Sequence, residues 1–547
     1  ATVNENDKKQ EFGPYHQITT VDDIRDEQKA LVLESICVRL LWDLGNLYRD
    51  EKVDLPVADT TVFVEMVRHA GQAMVEPLLK DIRKATGERE FRKKLNAWAT
   101  KQGVNKYDQE YEKTLAQQIA YKIIGKVLFY ITLRRHKLDL PPMELPAKSY
   151  KTAITKMRGL FQRALEVDYQ AIFEPEIVDE IELSADTAKI IIELTDKLTH
   201  WSFELMPLDV IGNVFEKLIP EDARHSLGQY FTPDNLVDLI TTFCVETSND
   251  YVMDPTCGTG TFLIRGYNRL RNLQHKAHYK LLEQIWGIDI AGFPAELATV
   301  NLCRQDFSDY LNFPRVLSRD FFDVMPGQKF KFPPPKKTAK TGERIEVKIP
   351  KFDAMVGNFP FIRQELIEKA EPGYKNKIGR VLHRSWENEY PQLFEDVKKE
   401  GRGETSVKMA LSGQADIYAY MFFHAAAHLK VGGRMGFITS NSWLDVAYGY
   451  ELQKFFLEKF KVIAICESRC EPWFEQSAVN TVFTILERCD DKEAKDNNLA
   501  RFVKIKKPLK ELFPQDALTD SQGRWIALEK FVDKIEGIAA SGDITEI

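Results

Sequence analysis

Cysteine is scarce in this sequence: seven in 547 residues, an odd number without dense spacing. That excludes a disulfide scaffold and fits a reducing compartment in which thiols stay free. Cys466 and Cys470 have no second pair at zinc-ligand spacing, and His424 with His428 lacks the glutamate of a metalloprotease helix. No metal is expected. No apolar run approaches the roughly 18 residues a membrane helix needs, and residues 1–10 are polar and charged where a signal core would be apolar. These absences predict a cytoplasmic protein with no membrane role. Excess positive charge is also missing. A net charge of −7 argues against indiscriminate coating of nucleic acid, although it says little about a local cleft.

Apolar material is plentiful, at 44% hydrophobic against 29% charged residues. The length predicts two or three domains. Residues 18–199 show helical periodicity, so residues 1–199 are expected to form an α-helical N-terminal domain whose Lys and Glu at helical spacings face water. Glu27-Gln28-Lys29 has the acid-x-Lys form of some nucleases but falls in a helical pattern with no apolar strand before it, and it reads as chance. Residues 200–490 change texture. Short apolar runs at Tyr251–Met253, Gln284–Ile288, Val316–Ser318 and Phe352–Val356 alternate with helical segments, as in an α/β domain with a mostly parallel sheet. Each run leads to a polar residue: Asp254, Asp289, Asp320 and Asn358. Their spacing, near that of a β-α-β unit, puts them on one sheet edge, where ligands bind in such folds. Further on, 417–429 and 448–460 read as helices and 434–439 as a strand. Residues 462–466 and 479–486 read as an antiparallel edge hairpin, because their link is too short for a helical crossover. Residues 491–547 read as a tail or the start of a recognition region.

The segment Asp254-Pro255-Thr256-Cys257-Gly258-Thr259-Gly260-Thr261 follows a strand and opens a helix, so its backbone amides can approach a ligand closely. It is not a dinucleotide fingerprint, since Leu263 stands at the third glycine. A ligand-free tight turn would look the same taken alone. Asp289 and its neighbour Ile290 stand where a carboxylate accepts ribose hydroxyls. Asp320 stands where one accepts an adenine amino group, with Phe321 or Phe322 against the ring. Singly each Asp could cap a helix; in register they fit an adenosine carrying an amino-acid tail. Asn358-Phe359-Pro360-Phe361 suits a planar amine. Its N–H groups would donate to the Asn358 side-chain oxygen and the Phe359 carbonyl, favouring sp³ character at nitrogen, while Phe361 stacks on the ring.

With these motifs in order, the chain resembles the adenine-N6 DNA methyltransferases of restriction-modification systems, including type I modification subunits and type IIG-like enzymes. Gly228-Gln229-Tyr230-Phe231-Thr232-Pro233 resembles their first cofactor motif, 254–260 their D-P-x-C-G-x-G turn, and Asn358–Phe361 their N-P-P-Y/F tetrad. Residues 432–440 and 478–482 resemble later motifs that shape the target pocket. The resemblance implies a Rossmann-like methyltransferase sheet and S-adenosyl-L-methionine held by Gln229, Tyr230, Thr232, Asp254, Thr256, Gly258, Gly260, Thr261, Asp289, Ile290, Asp320 and Phe321. It also implies a flipped-out adenine in double-stranded DNA, phage defence, possible separate specificity and restriction subunits, and a nucleoid location during action. Phe359 departs from the tetrad by replacing a proline, which removes a backbone restraint but keeps the carbonyl.

Two basic stretches flank the tetrad. Gln328–Lys351 includes Lys336 and Lys337, and the insertion 363–411 includes Lys375, Lys377, Arg380 and Arg384. Both are candidate phosphate contacts, because extruding a base from a duplex calls for a clamp; a solvated loop is the bland alternative. Competing readings are a glutamine-N5 protein methyltransferase, an RNA base methyltransferase, and a DNA-binding scaffold with weak catalysis. About sixty residues follow Thr481, and no target-recognition domain is evident in them.

Overall fold

The computed structural model describes residues 60–101, 111–136, 140–167, 175–199, 232–306, 313–332, 343–362, 373–399, 405–411, 413–474, 480–513 and 522–539, with Leu41, Phe173 and Pro334. Gln229, Tyr230, Lys336, Lys337 and the Glu27–Lys29 triplet lie outside them.

Among the described residues five α-helices come first: α1 (Thr60–Ala85), α2 (Arg89–Lys101), α3 (Tyr111–His136), α4 (Tyr150–Val167) and α5 (Ala185–Thr199). On α1, Phe63, Val67, Ala70, Met74 and Leu78 recur every three or four residues and are buried, so one apolar stripe meets the other helices. This layer does not close on itself. Leu297, Val300 and Cys303 of α9 (Gly292–Cys303) complete its core, and the buried Lys122 Nζ on α3 bonds Glu296 Oε1 at 2.7 Å and Glu176 Oε2 at 2.8 Å. The helical layer is therefore welded to the sheet domain through α9.

The sheet domain opens with α6 (Asp234–Cys244), β1 (Val252–Asp254), α7 (Thr261–Leu273), α8 (His278–Gln284), β2 (Ile285–Asp289), then α9 and β3 (Arg315–Ser318). A small hairpin, β4 (Lys329–Phe332) and β5 (Ile345–Lys348), precedes β6 (Phe352–Asn358). After the tetrad come α10 (Tyr374–Trp386), a second hairpin of β7 (Phe394–Lys399) and β8 (Thr405–Met409), and α11 (Ile417–His428). There follow β9 (Leu429–Ser440), α12 (Gly449–Lys459), β10 (Phe460–Ser468), β11 (Thr481–Arg488), β12 (Arg501–Ile505) and α13 (Gln522–Glu536), with short helical turns at Lys492–Asp496 and Leu509–Leu512. Eight strands form one sheet in the order β12-β10-β11-β9-β6-β1-β2-β3. All neighbours pair in parallel except those of β11. Every residue of β1 and β2 is buried, which is why they appear in the sequence as unbroken apolar runs.

The expected antiparallel pair is present, but it is not the sheet edge. β11 lies between β9 and β10, and β12 pairs outside β10. Of the residues expected as a tail or the start of a recognition region, β12 and α13 pack on this sheet domain, β12 by pairing with β10 and α13 through Trp525, Leu528, Val532 and Ile535. The cue was weak because β12 reads Arg501-Phe502-Val503-Lys504-Ile505 with only Ile505 buried, an edge strand rather than a covered one.

Helix α13 is held by charge as well as packing. Trp525 is fully buried, with the guanidinium carbons of Arg265 and Arg269 at 5.7 and 5.6 Å from its ring. Asp238 on α6, with no exposed surface, receives Arg265 of α7 on both oxygens and Arg524 Nε at 2.7 Å. Asp238→Asn removes the charge that two buried guanidiniums share, and is expected to lower unfolding free energy by about 1.5–3 kcal/mol. A denaturation midpoint equal to the parent's would remove the assigned role.

Among the described residues, no group of His, Cys, Asp and Glu is arranged to hold a metal, and no helix is long and apolar enough to cross a membrane. His424 and His428 sit on α11 in the core. Their Nε2 atoms each lie 3.0 Å from the Val324 carbonyl, and burial pulls the His424 pKa down to about 4.

Candidate active site

The strand tips converge as the apolar runs require, since parallel register sets Met253 of β1 opposite Met355 of β6 and Asp254 opposite Gly287 of β2. Asp254 Oδ1 accepts the Thr256 N–H at 2.9 Å, so the carboxylate folds its own turn. Gly258 (φ +52°) and Gly260 (φ +93°) take left-handed conformations that glycine alone adopts cheaply. Gly260 is also the N-cap of α7 and supplies no side chain to that role. The first amides of α7 are thus left for an external acceptor, at the positive end of the helix dipole. Among the described residues no heavy atom lies within 4 Å of where a Cβ on Gly258 would project, whereas one on Gly260 would come within 3.0 Å of Ala298. The turn is therefore backed by α9 and open at Gly258, a cradle in which backbone can approach a ligand.

Asp289 closes this turn from β2: Oδ2 accepts the Gly258 N–H at 2.9 Å and Oδ1 the Ala291 N–H at 2.8 Å. Burial pushes its pKa up to about 6 against the lowering effect of those amides. Burial raises Asp254 as well, and the nearby Asp289 carboxylate adds to the rise. The next residue, Ile290, is 57% exposed, an apolar surface beside the carboxylate.

At β3 the expectation is corrected in part. Phe321 and Phe322 are buried in the core around His424 and do not offer a ring face to a ligand. They begin a short 3-10 turn that is apolar on its inner side, so burial outweighs the stacking role read from the sequence. Asp320 caps this turn through Oδ1 and the Phe322 N–H at 2.9 Å. Its Oδ2 accepts Tyr374 Oη–H at 2.9 Å and Lys377 Nζ at 2.6 Å from α10. Lys377, expected to meet DNA phosphate, instead bridges Asp320 and Asp323. Lys375 Nζ bonds the Gly413 carbonyl at 2.5 Å. Arg380 is half-buried and Arg384 exposed. The link between α10 and Asp320 had no sequence signal, because it spans more than fifty residues.

Asn358 ends β6 directly beside the glycine turn. A Cβ on Gly357 would stand 2.7 Å from Asp254 Oδ1, so glycine is what allows the two strands to approach so closely. The Asn358 carbonyl accepts Thr256 Oγ1–H at 3.1 Å, and its Nδ2 donates to Thr232 Oγ1 at 3.4 Å. The remaining polar atom, Oδ1, is buried with no hydrogen-bond partner among the described residues. A buried acceptor without a donor is costly unless a ligand supplies one. Thr232 was expected on the cofactor side; its bond to Asn358 is an additional contact that sequence did not suggest. Phe359 is fully buried, its ring stacked on Phe437 at 3.9 Å and 17°, and its N–H donates to the Ile438 carbonyl at 3.1 Å. Pro360 and Phe361 are half-buried, with Phe361 edge-on to Phe474 at 6.0 Å. A cavity of about 1000 Å³ lies elsewhere, in the seam of the helical layer, α9 and β3, lined by Trp98, Phe161, Glu296, Leu317, Phe332 and Arg344. Neither Asp254, Asp289 nor Asn358 lines it.

A mostly parallel sheet with one reversed strand, a glycine cradle at β1 and an Asn-Phe-Pro-Phe exit at β6 define a Rossmann-like methyltransferase domain. Residues 207–522, more than half of the chain, match the family model for N-6 DNA methylases, and the chain belongs to that family. DNA methyltransferase A of Bacillus subtilis (strain 168) is 27% identical over 173 residues, 25% of this chain and 19% of that protein. The type II methyltransferase M.BstVI of Geobacillus stearothermophilus is 23% identical over 297 residues, 50% of this chain and 45% of that protein. The chain spans less than half the length of these curated relatives. Among solved structures, the type IIG restriction endonuclease BpuSI aligns with a TM-score of 0.49 and 15% identity over 78% of this chain and 41% of that one. The type I methyltransferase subunit from Streptococcus thermophilus aligns at 0.44 and 14% over 91% and 92%.

Proposed function

We propose that the chain is a site-specific adenine-N6 DNA methyltransferase of a restriction-modification or phage-defence system. The observation that carries this reading is the buried Asn358 Oδ1 beside the glycine cradle, without a hydrogen-bond partner among the described residues. S-adenosyl-L-methionine, when bound, supplies a methyl group already activated on a sulfonium, so the protein needs to bind and orient rather than form a covalent intermediate. Gly258, Gly260 and the uncapped start of α7 would receive its amino-acid end, Asp289 its ribose hydroxyls, and Ile290 would pack beside the adenine.

The target reaches the site as an extruded adenine, because its amino group is hidden in a stacked duplex. Asn358 Oδ1 accepts one amine N–H and the Phe359 carbonyl the other, drawing the nitrogen lone pair out of conjugation as it attacks. Thr232 and Thr256 hold the asparagine from its amide and its backbone. Phe361 would bear on the base. Of the four candidates on α10, Lys375 and Lys377 bond within the protein, and exposed Arg384 and half-buried Arg380 would take the phosphate contact. Separate specificity or restriction subunits belong to the same proposal, as does action on chromosomal DNA in the cytoplasm. Methyl transfer from labelled cofactor to DNA, RNA and protein in parallel tests it. Label in DNA at adenine N6 is the expected result, and label confined to protein or RNA overturns it.

The cofactor end carries its own pH dependence. Ribose hydroxyls donate to ionised Asp289, whose pKa is raised to about 6, so affinity should be full above that pH and fall as pH drops through it, by up to about tenfold per unit. For the fold the sign is opposite: the raised pKa makes the neutral acid the more stable form, and that stability is lost as pH rises through about 6. Titration of S-adenosylhomocysteine at pH 5 and 7.5 reads the binding effect. Asp289→Asn should flatten it, and an unchanged profile in that variant would move the titration to another group.

A further inference from the structure

The turn after β3 is fixed independently on its inner side. Phe321 and Phe322 are packed in the core, and the carbonyls of Phe321 and Val324 receive His424 Nε2, each at 3.0 Å. The Asp320 cap onto Phe322 N–H completes it. The two bonds from α10 are therefore not needed to fold the turn; they act on the Asp320 carboxylate itself. Helix α10 is likewise seated without them, through buried Ile378, Leu382 and Trp386. What the link determines is which way Asp320 faces and which of its lone pairs stay free. With Oδ2 taken by Tyr374 and Lys377, the open lone pair is on Oδ1, which among the described residues has only the Phe322 amide.

We propose that Lys377, with Tyr374, is a positioning residue for the cofactor pocket, holding Asp320 so that its free Oδ1 lone pair selects a ligand bearing an exocyclic amino group on its purine. This rests on the cofactor reading above and moves Lys377 from the DNA-facing set to the cofactor side. Lys377 Nζ lies 2.6 Å from Asp320 and 2.8 Å from Asp323, spanning the turn from end to end, and 5.2 Å from the Tyr374 ring centroid. The ammonium thus pins the carboxylate in two directions at once. Without it, Asp320 can rotate or turn to water, and an acceptor that is no longer aimed stops distinguishing amine from carbonyl on the purine.

The test needs no DNA. Binding of S-adenosylhomocysteine and S-inosylhomocysteine, which differ at the purine 6-position as amine and carbonyl, is measured calorimetrically on the full chain, on Lys377→Met, Lys377→Arg and Tyr374→Phe. The parent should prefer the adenosyl ligand by about tenfold or more. Lys377→Met should bring the two affinities within about threefold, while Lys377→Arg keeps the preference and Tyr374→Phe loses part of it. A purely structural role would weaken both ligands together and leave their ratio intact, which overturns the proposal. Equal binding by the parent overturns it too, because Asp320 then reads no amine. Failure of the parent to bind either ligand is a different outcome, and refutes the cofactor reading beneath.

Discussion

Asn358→Ala is expected to lower methyl transfer to DNA adenine by about 10²- to 10³-fold, the usual cost of losing one preorganised hydrogen-bonding group at a reacting centre. Cofactor affinity should be unchanged. The asparagine side chain contacts Thr232, and its Oδ1 has no partner among the described residues, so truncation removes an acceptor that only a substrate would satisfy. The fold should not suffer, because a buried acceptor without a donor is a net cost to the free protein. A melting temperature equal to or above the parent's, together with intact binding of S-adenosylhomocysteine and lost turnover, is the full expected pattern. Undiminished turnover would refute the catalytic assignment.

The parts of the fold legible in the sequence were those that repeat a period or end abruptly. β1, β2 and β6 are covered on both faces or nearly so, β3 is a half-covered edge strand, and each apolar run stops at the polar residue at its carboxyl end, so position along the chain already implied position on the sheet edge. Gly258 belongs to the same legible set, because it sits in the turn where backbone approaches a ligand, whereas the close approach of Gly357 to Asp254 carried no such signal. Contacts between surfaces far apart in sequence were not legible. Nothing in Leu297 or Val300 marks α9 as a wall of the helical layer, and nothing in Lys377 distinguishes an ion-pair partner of Asp320 from a phosphate ligand. A lysine on an amphipathic helix looks the same in either role until its neighbours are known. Phe321 was misread for a related reason, since an aromatic ring beside a carboxylate suits a binding wall and a core equally well.

Phe359 shows how such long-range packing changes the meaning of a motif. Compared with the family's N-P-P-Y/F tetrad, the residue looks like a loss of rigidity, which suggests that Phe359→Pro would repair the site. The surroundings predict the reverse. The ring is fully buried, stacked on Phe437 and edge-on to Phe422 at 5.3 Å and 87°, and the N–H extends the β6–β9 pairing to Ile438. Proline would remove the ring, leave a void between two phenylalanines and delete that donor. Emptying a buried phenylalanine site costs about 3–5 kcal/mol, and the missing N–H adds about 1 kcal/mol. Phe359→Pro should therefore unfold at markedly lower denaturant with an unchanged m-value. The Phe359 carbonyl, which the proposed mechanism sets against the amine, is held here by ring packing instead of by a pyrrolidine, so turnover should drop along with stability. A variant as stable as the parent would show that the ring is incidental and that the strand end alone fixes the carbonyl.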